Sequence, residues 1–176
     1  MPNNTLLSIT RELGVIIRDI EDFETNHNYI PDDLSGYKLL RKGDFGMNKM
    51  KAWQGSYGVS NYTGIVSPAY FTFKITGTIN PDFFHLAIRT STYVSFFGKA
   101  SDGVRIGQWD LSKDRMKRIP FIIPSKNEQI KIIDFVKSIS TKTEEAISFK
   151  LKEIEKLKEY KSSLINSVVT GKVKVC

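Results

Sequence analysis

Cysteine, histidine and long apolar runs are what this sequence has least of. Its single cysteine, Cys176, is the last of 176 residues, so no intrachain disulfide can form and a reducing, cytoplasmic setting is expected. Histidine occurs only at His27 and His85, each with no cysteine nearby, which argues against a zinc site. No apolar stretch approaches the roughly 20 residues of a membrane-spanning helix, and the N-terminus has no signal-peptide pattern, so no membrane role is expected. Neither a Gly-x-x-x-x-Gly-Lys-Ser/Thr phosphate loop nor a Gly-x-Gly-x-x-Gly dinucleotide loop is present. Proline and glycine are both missing between Asn127 and Thr170, which leaves nothing there to break a helix.

That unbroken stretch dominates the chain. Ile133, Ile147, Ile154 and Val168 fall at heptad position a, with Val136, Leu157 and Leu164 at d. Leu151 and Ile165 widen the seam, whereas Ser140, Thr143, Lys150 and Lys161 interrupt it. The pattern predicts one long coiled-coil helix of roughly 65 Å, at about 1.5 Å per residue. The interruptions suggest two apolar faces, one for a second helix and one for another partner. A domain of residues 1–124 is expected before it, with residues 125–176 forming the helical unit.

Charge is uneven along the chain. The net formal charge is −5 over residues 1–37, +8 over 38–118 and +4 over 119–176. A basic middle next to an acidic head points to a polyanion partner.

Residues 6–18 read as two short strands around a turn at Glu12–Gly14, and Phe45–Met50 as a further strand after the Arg41–Asp44 turn. Trp53–Gly64 reads as an aromatic, glycine-rich loop. Ile65–Pro68 and Tyr70–Ile75 are β-prone. Asn80-Pro81-Asp82 has the form of a helix start, with Asn80 as cap and Pro81 at the first helical position. One helix is expected from there to Phe97. A polar loop over 98–108 follows, then a short connecting segment to Arg118 and a buried strand at Ile119–Ile123. The expected fold is α+β, a mixed globular domain followed by a long helix.

Two near-matches to catalytic patterns are weak. Asn80-Pro81-Asp82-Phe83 differs at one position from the Asn-Pro-Pro-Tyr/Phe motif of amino-methyltransferases, and no cofactor loop accompanies it. Glu159-Tyr160-Lys161 matches the acidic-x-Lys element of metal nucleases but lies inside the heptad pattern, where such charges solvate a helix surface. No catalytic residue, metal or cofactor is therefore expected.

Binding has better candidates. Lys49, Lys51, Trp53, Gln54, Tyr57 and Asn61 cluster in one segment, and Lys99, Ser101, Arg105 and Gln108 in another. Arginine and lysine can bond guanine O6 and N7, and glutamine or asparagine the adenine edge. Lysines and the amides of glycine-rich loops serve phosphates. Taken singly, Trp53 and Trp109 are better accounted for as anchors of the domain core than as base contacts, whereas the loops taken together favour binding.

The order of short motifs resembles the DNA-specificity subunit of type I restriction–modification systems. The matching pieces begin with Leu6-Leu7-Ser8-Ile9-Thr10 and Gly14-Val15, then Gly43-Asp44-Phe45 with Asn48-Lys49-Met50, and Lys51-Ala52-Trp53-Gln54-Gly55-Ser56. They continue with Gly64-Ile65-Val66-Ser67-Pro68-Ala69-Tyr70, Gly103 to Trp109, Ile123-Pro124 with Glu128-Gln129, the long helix and Gly171-Lys172-Val173. The resemblance implies a target-recognition domain that binds double-stranded DNA. It also implies a helix that docks the methyltransferase subunit, and a complex that a motor nuclease, the restriction subunit, can join.

Members of that family carry two recognition domains and two antiparallel helices, whereas this sequence shows one of each. It also lacks the opening tryptophan-containing segment. The expectation is either a natural half-subunit or a fragment whose other half is separate, pairing as a homodimer through its helix to read a split palindrome. A different class, a coiled-coil adaptor whose head binds protein, fits the same helix and predicts no salt-dependent affinity for DNA.

Overall fold

A computed structural model describes residues 5–19, 30–31, 33–103 and 109–174. The fold is α+β and ends in a long helix, as expected. The chain divides into two compact units, Met1–Ile130 and Lys131–Cys176.

In the first unit, β1 (Leu7–Thr10) and β2 (Gly14–Ile17) form the expected antiparallel hairpin, with Thr10 opposite Gly14. Strand β3 (Lys38–Leu40) pairs antiparallel with β6 (Gly64–Val66), and β5 (Tyr57–Val59), β4 (Phe45–Asn48) and β7 (Tyr70–Phe73) make a three-stranded antiparallel sheet in that order. All four residues of the central strand β4 are buried. The hairpin joins β6 through Leu6 and Ile65, with the Ile65 N–H donating to the Thr5 carbonyl at 2.9 Å. Gly64 permits that approach, since a Cβ there would overlap the Thr5 carbonyl oxygen and the Leu7 side chain.

Two apolar clusters fill the unit. Leu7, Ile9, Val15, Leu40 and Val66 pack under the hairpin. Phe45, Met47, Ala52, Tyr57, Ile88, Phe97, Ala100 and Leu111 form the larger core.

The structure corrects several expectations. Trp53–Gly64 is not simply a loop: Ala52–Gln54 is a single 3-10 turn, and Tyr57-Gly58-Val59 is the fully buried strand β5. The single helix expected up to Phe97 is two, α1 (Pro81–Ile88) and α2 (Ser91–Lys99). They break because Thr90 is extended and its hydroxyl donates back to the Ala87 carbonyl at 2.9 Å. The guanidinium of the neighbouring Arg89 is fastened elsewhere, to the carbonyls of Tyr57, Arg11 and Glu12 at 2.6–2.7 Å.

Residues 119–124 form no strand, because Pro120 and Pro124 lack the donors a ladder needs. Ile122 is 80% exposed there, while Ile119 and Phe121 pack onto the core, Phe121 against the rings of Phe83, Phe84 and Tyr93. The polar 98–108 stretch and the connecting segment instead supply a two-stranded ribbon, β8 (Ser101–Asp102) with β9 (Asp110–Leu111), followed by the short helix α3 (Lys113–Met116).

Helix α4 runs from Lys126 to Val169, 44 residues. Ser125 begins it, its hydroxyl accepting from the Glu128 N–H at 3.3 Å in the Ser-x-x-Glu capping arrangement. Gly171, at φ 73°, ends it, and the Lys172 N–H closes on the Ser167 carbonyl at 2.9 Å. No described helix is long and apolar enough to cross a membrane.

Candidate nucleic-acid interface

The two sequence-predicted segments meet on the β8–β9–α3 region. The Leu111 N–H donates to the Lys49 carbonyl at 3.0 Å, and the Ser112 N–H to the Ala100 carbonyl at 3.0 Å. Trp53 and Trp109 lie against each other with ring centroids 5.0 Å apart. Segments 49–54 and 99–102 are thus held together by 109–112, which sequence reasoning treated as a mere connection.

The candidates differ in what they can reach. Lys51, Asn61 and Lys99 are exposed, and Gln54 is half-buried. Lys49 is already engaged, its ammonium 2.9 Å from Asp110 Oδ2. Tyr57 does not fit the role expected of it: it is 0% exposed, with its ring against Phe45 and Phe97. Burial pushes its phenol well above the ordinary value, and its hydroxyl has no partner among the described residues. Ser101 is likewise buried, its hydroxyl donating to the Phe97 carbonyl at 2.8 Å. Both are core residues and make no surface contact. The Trp53 indole N–H is enclosed without a partner among the described residues, so the tryptophan pair packs as an anchor. Arg105 and Gln108 lie outside the described residues.

The residues that sequence reasoning passed over are Lys113, Arg115, Lys117 and Arg118. Their signal was a basic run inside the connecting segment. Ser112 caps α3 and Met116 packs on the core, which leaves the cations exposed. Lys113 Nζ lies 4.4 Å from the centroid of the Phe71 ring, while Arg115 is paired with Asp102 and Lys117 stands 3.8 Å from Asp114. Asp102 and Asp110 face each other across the ribbon. Two carboxylates opposite one another repel, and Arg115 and Lys49 offset that repulsion.

A buried glutamine and a half-buried histidine secure this unit. Gln129 is 1% exposed: its Oε1 accepts from the Asn80 N–H at 2.8 Å, and its Nε2 donates to the carbonyls of Thr78 (3.3 Å) and Pro124 (2.9 Å). Asn80 caps α1 as expected, its Oδ1 accepting from Asp82 and Phe83. The Asn-Pro-Asp-Phe stretch and the Glu-Gln pair are therefore one structural joint. His85 Nδ1 accepts from the Val59 N–H at 3.1 Å. Burial, and then the Arg89 charge, hold its pKa below the ordinary 6.5.

On α4, the seam residues fall into two groups. Ile133 is buried and Val136 half-buried. From Ile139 onward the apolar side chains are open: Ile147, Leu151, Ile154, Leu157, Leu164 and Ile165 are all exposed, and Val168 is half-buried. Compared with known proteins, the chain matches no family model and no curated sequence.

Proposed function

We propose that this chain is the sequence-specific DNA-recognition subunit of a type I restriction–modification system, non-catalytic and cytoplasmic. The observation that carries the reading is the ordered motif series, from Leu6-Leu7-Ser8-Ile9-Thr10 to Gly171-Lys172-Val173, by which the sequence resembles that family. An α+β unit followed by a 44-residue helix is the architecture this assignment calls for. Lys51, Gln54, Asn61 and Lys99 remain surface candidates for contacting one half of a split target in double-stranded DNA.

The open apolar side chains of α4 give the helix its part in this proposal. Burying one large aliphatic side chain contributes roughly 1.5–3 kcal/mol, so a row of them in water is a surface built for cover. A second copy would cover one face and hold two heads against equivalent half-sites. The methyltransferase subunit would take the other face, and the restriction subunit would join that frame. An adaptor whose head binds protein would use the same helix, and duplex binding separates the two. Recognition requires affinity for duplex DNA that falls as salt rises, with one sequence preferred, whereas the adaptor shows neither. Fluorescence anisotropy on a set of duplexes, repeated across a salt series, makes that comparison.

A further inference from the structure

The cations of the β8–β9–α3 region are not equivalent, and their differences assign them roles. Lys49 and Arg115 are drawn onto the facing carboxylates of Asp110 and Asp102. Lys117 has a weaker tie to Asp114, and Arg118 has no acidic partner among the described residues. Lys113 has no acidic partner either; its ammonium sits on the Phe71 ring, where a cation keeps its charge and is held in place. Lys113 and Lys117 are one helical turn apart and so lie side by side on α3, both exposed, whereas Met116 packs inward. The Asp102–Asp110 pair leaves Lys49 and Arg115 close to electrically silent, and the available positive charge shifts to α3.

We propose that α3 and its end, through Lys113, Lys117 and Arg118, form the phosphate-gripping face of this chain, with the backbone of duplex DNA as its ligand. The inference rests on the DNA-recognition reading and moves its electrostatic contacts off Lys49. Phosphate contacts made by lysine and arginine fix register without reading bases, so this face sets affinity and salt dependence and leaves sequence preference to the neighbouring segments. The Asp102–Asp110 pair beside it limits non-specific grip, because its carboxylates occupy cations that would otherwise meet any phosphate.

The test is duplex binding by the full chain across a salt series, with single-stranded RNA as a second probe. Lys113→Met keeps an apolar stem over Phe71, and Arg118→Ala touches no core residue. With both changes, the slope of log affinity against log salt is expected to fall by about 2, at roughly 0.9 per lost phosphate contact, equally for all duplexes. The charge-keeping pair Lys113→Arg with Arg118→Lys retains the wild-type slope, as does Lys152→Ala with Lys158→Ala on α4. An unchanged unfolding midpoint shows that any loss is not unfolding.

A wild-type slope in the Lys113→Met/Arg118→Ala chain overturns this inference and leaves DNA recognition standing. No salt-dependent duplex binding by the wild type overturns both. RNA bound more tightly than duplex, and lost with the same two residues, overturns the choice of partner.

Discussion

Protonation of His85 works against the fold. Its ring nitrogen accepts from the Val59 N–H, a role only the neutral ring can fill, and burial and Arg89 lower its pKa from 6.5. The unfolded chain therefore binds the proton more readily, and stability is lost as pH falls through 6.5 towards the lower folded value. The urea midpoint should be lower at about pH 5.5 than at about pH 7.5, and His85→Asn, which keeps an acceptor but does not titrate, should flatten that difference. Gln129 is the second residue on which the head depends. Gln129→Leu keeps the volume but strands the Asn80 N–H and two carbonyls, at a cost of roughly 1–3 kcal/mol measured by denaturant unfolding. Gly64→Ala drives a methyl into the Thr5 carbonyl and should cost about 1–3 kcal/mol by the same measurement.

At the scale of elements, what was legible in the sequence is what is local. The β1–β2 hairpin, the Asn80 cap and α4 follow from alternation, capping chemistry and the absence of breakers, and all three stand where expected. What could not be read depends on distant parts of the chain. Strand β5 has the composition of a loop, with Gly58 in its middle, and becomes a strand because β4 pairs with it. The break between α1 and α2 is an exception: it is local, at the extended Thr90 whose hydroxyl bonds back to Ala87, and the apolar spacing does not announce it. Residues 119–123 have strand-like apolarity, but two flanking prolines deny them a ladder.

The binding candidates divide in the same way. Residue type alone marked both Lys51 and Tyr57, and burial separates them. Helix α4 carries its own prediction: Leu157→Lys together with Ile154→Lys should turn a dimer into a monomer in sedimentation without lowering the unfolding midpoint of the head. A wild-type monomer at micromolar concentration, with and without the methyltransferase subunit, would remove pairing from the account.

For the whole molecule, the proposal is that this chain supplies the address and its partners the chemistry. In the proposed function the head would read one half-site, α3 would hold phosphate, and the open face of α4 would bring in a second helix and the methyltransferase. The central claim is that this chain alone decides where a partner methylates. Sequencing methylated bases in cells that express the methyltransferase subunit, with and without this chain, tests that most directly. The expected result is methylation at a split target with two equivalent half-sites, present only when the chain is present. The same methylation without it, or none with it, would contradict the account.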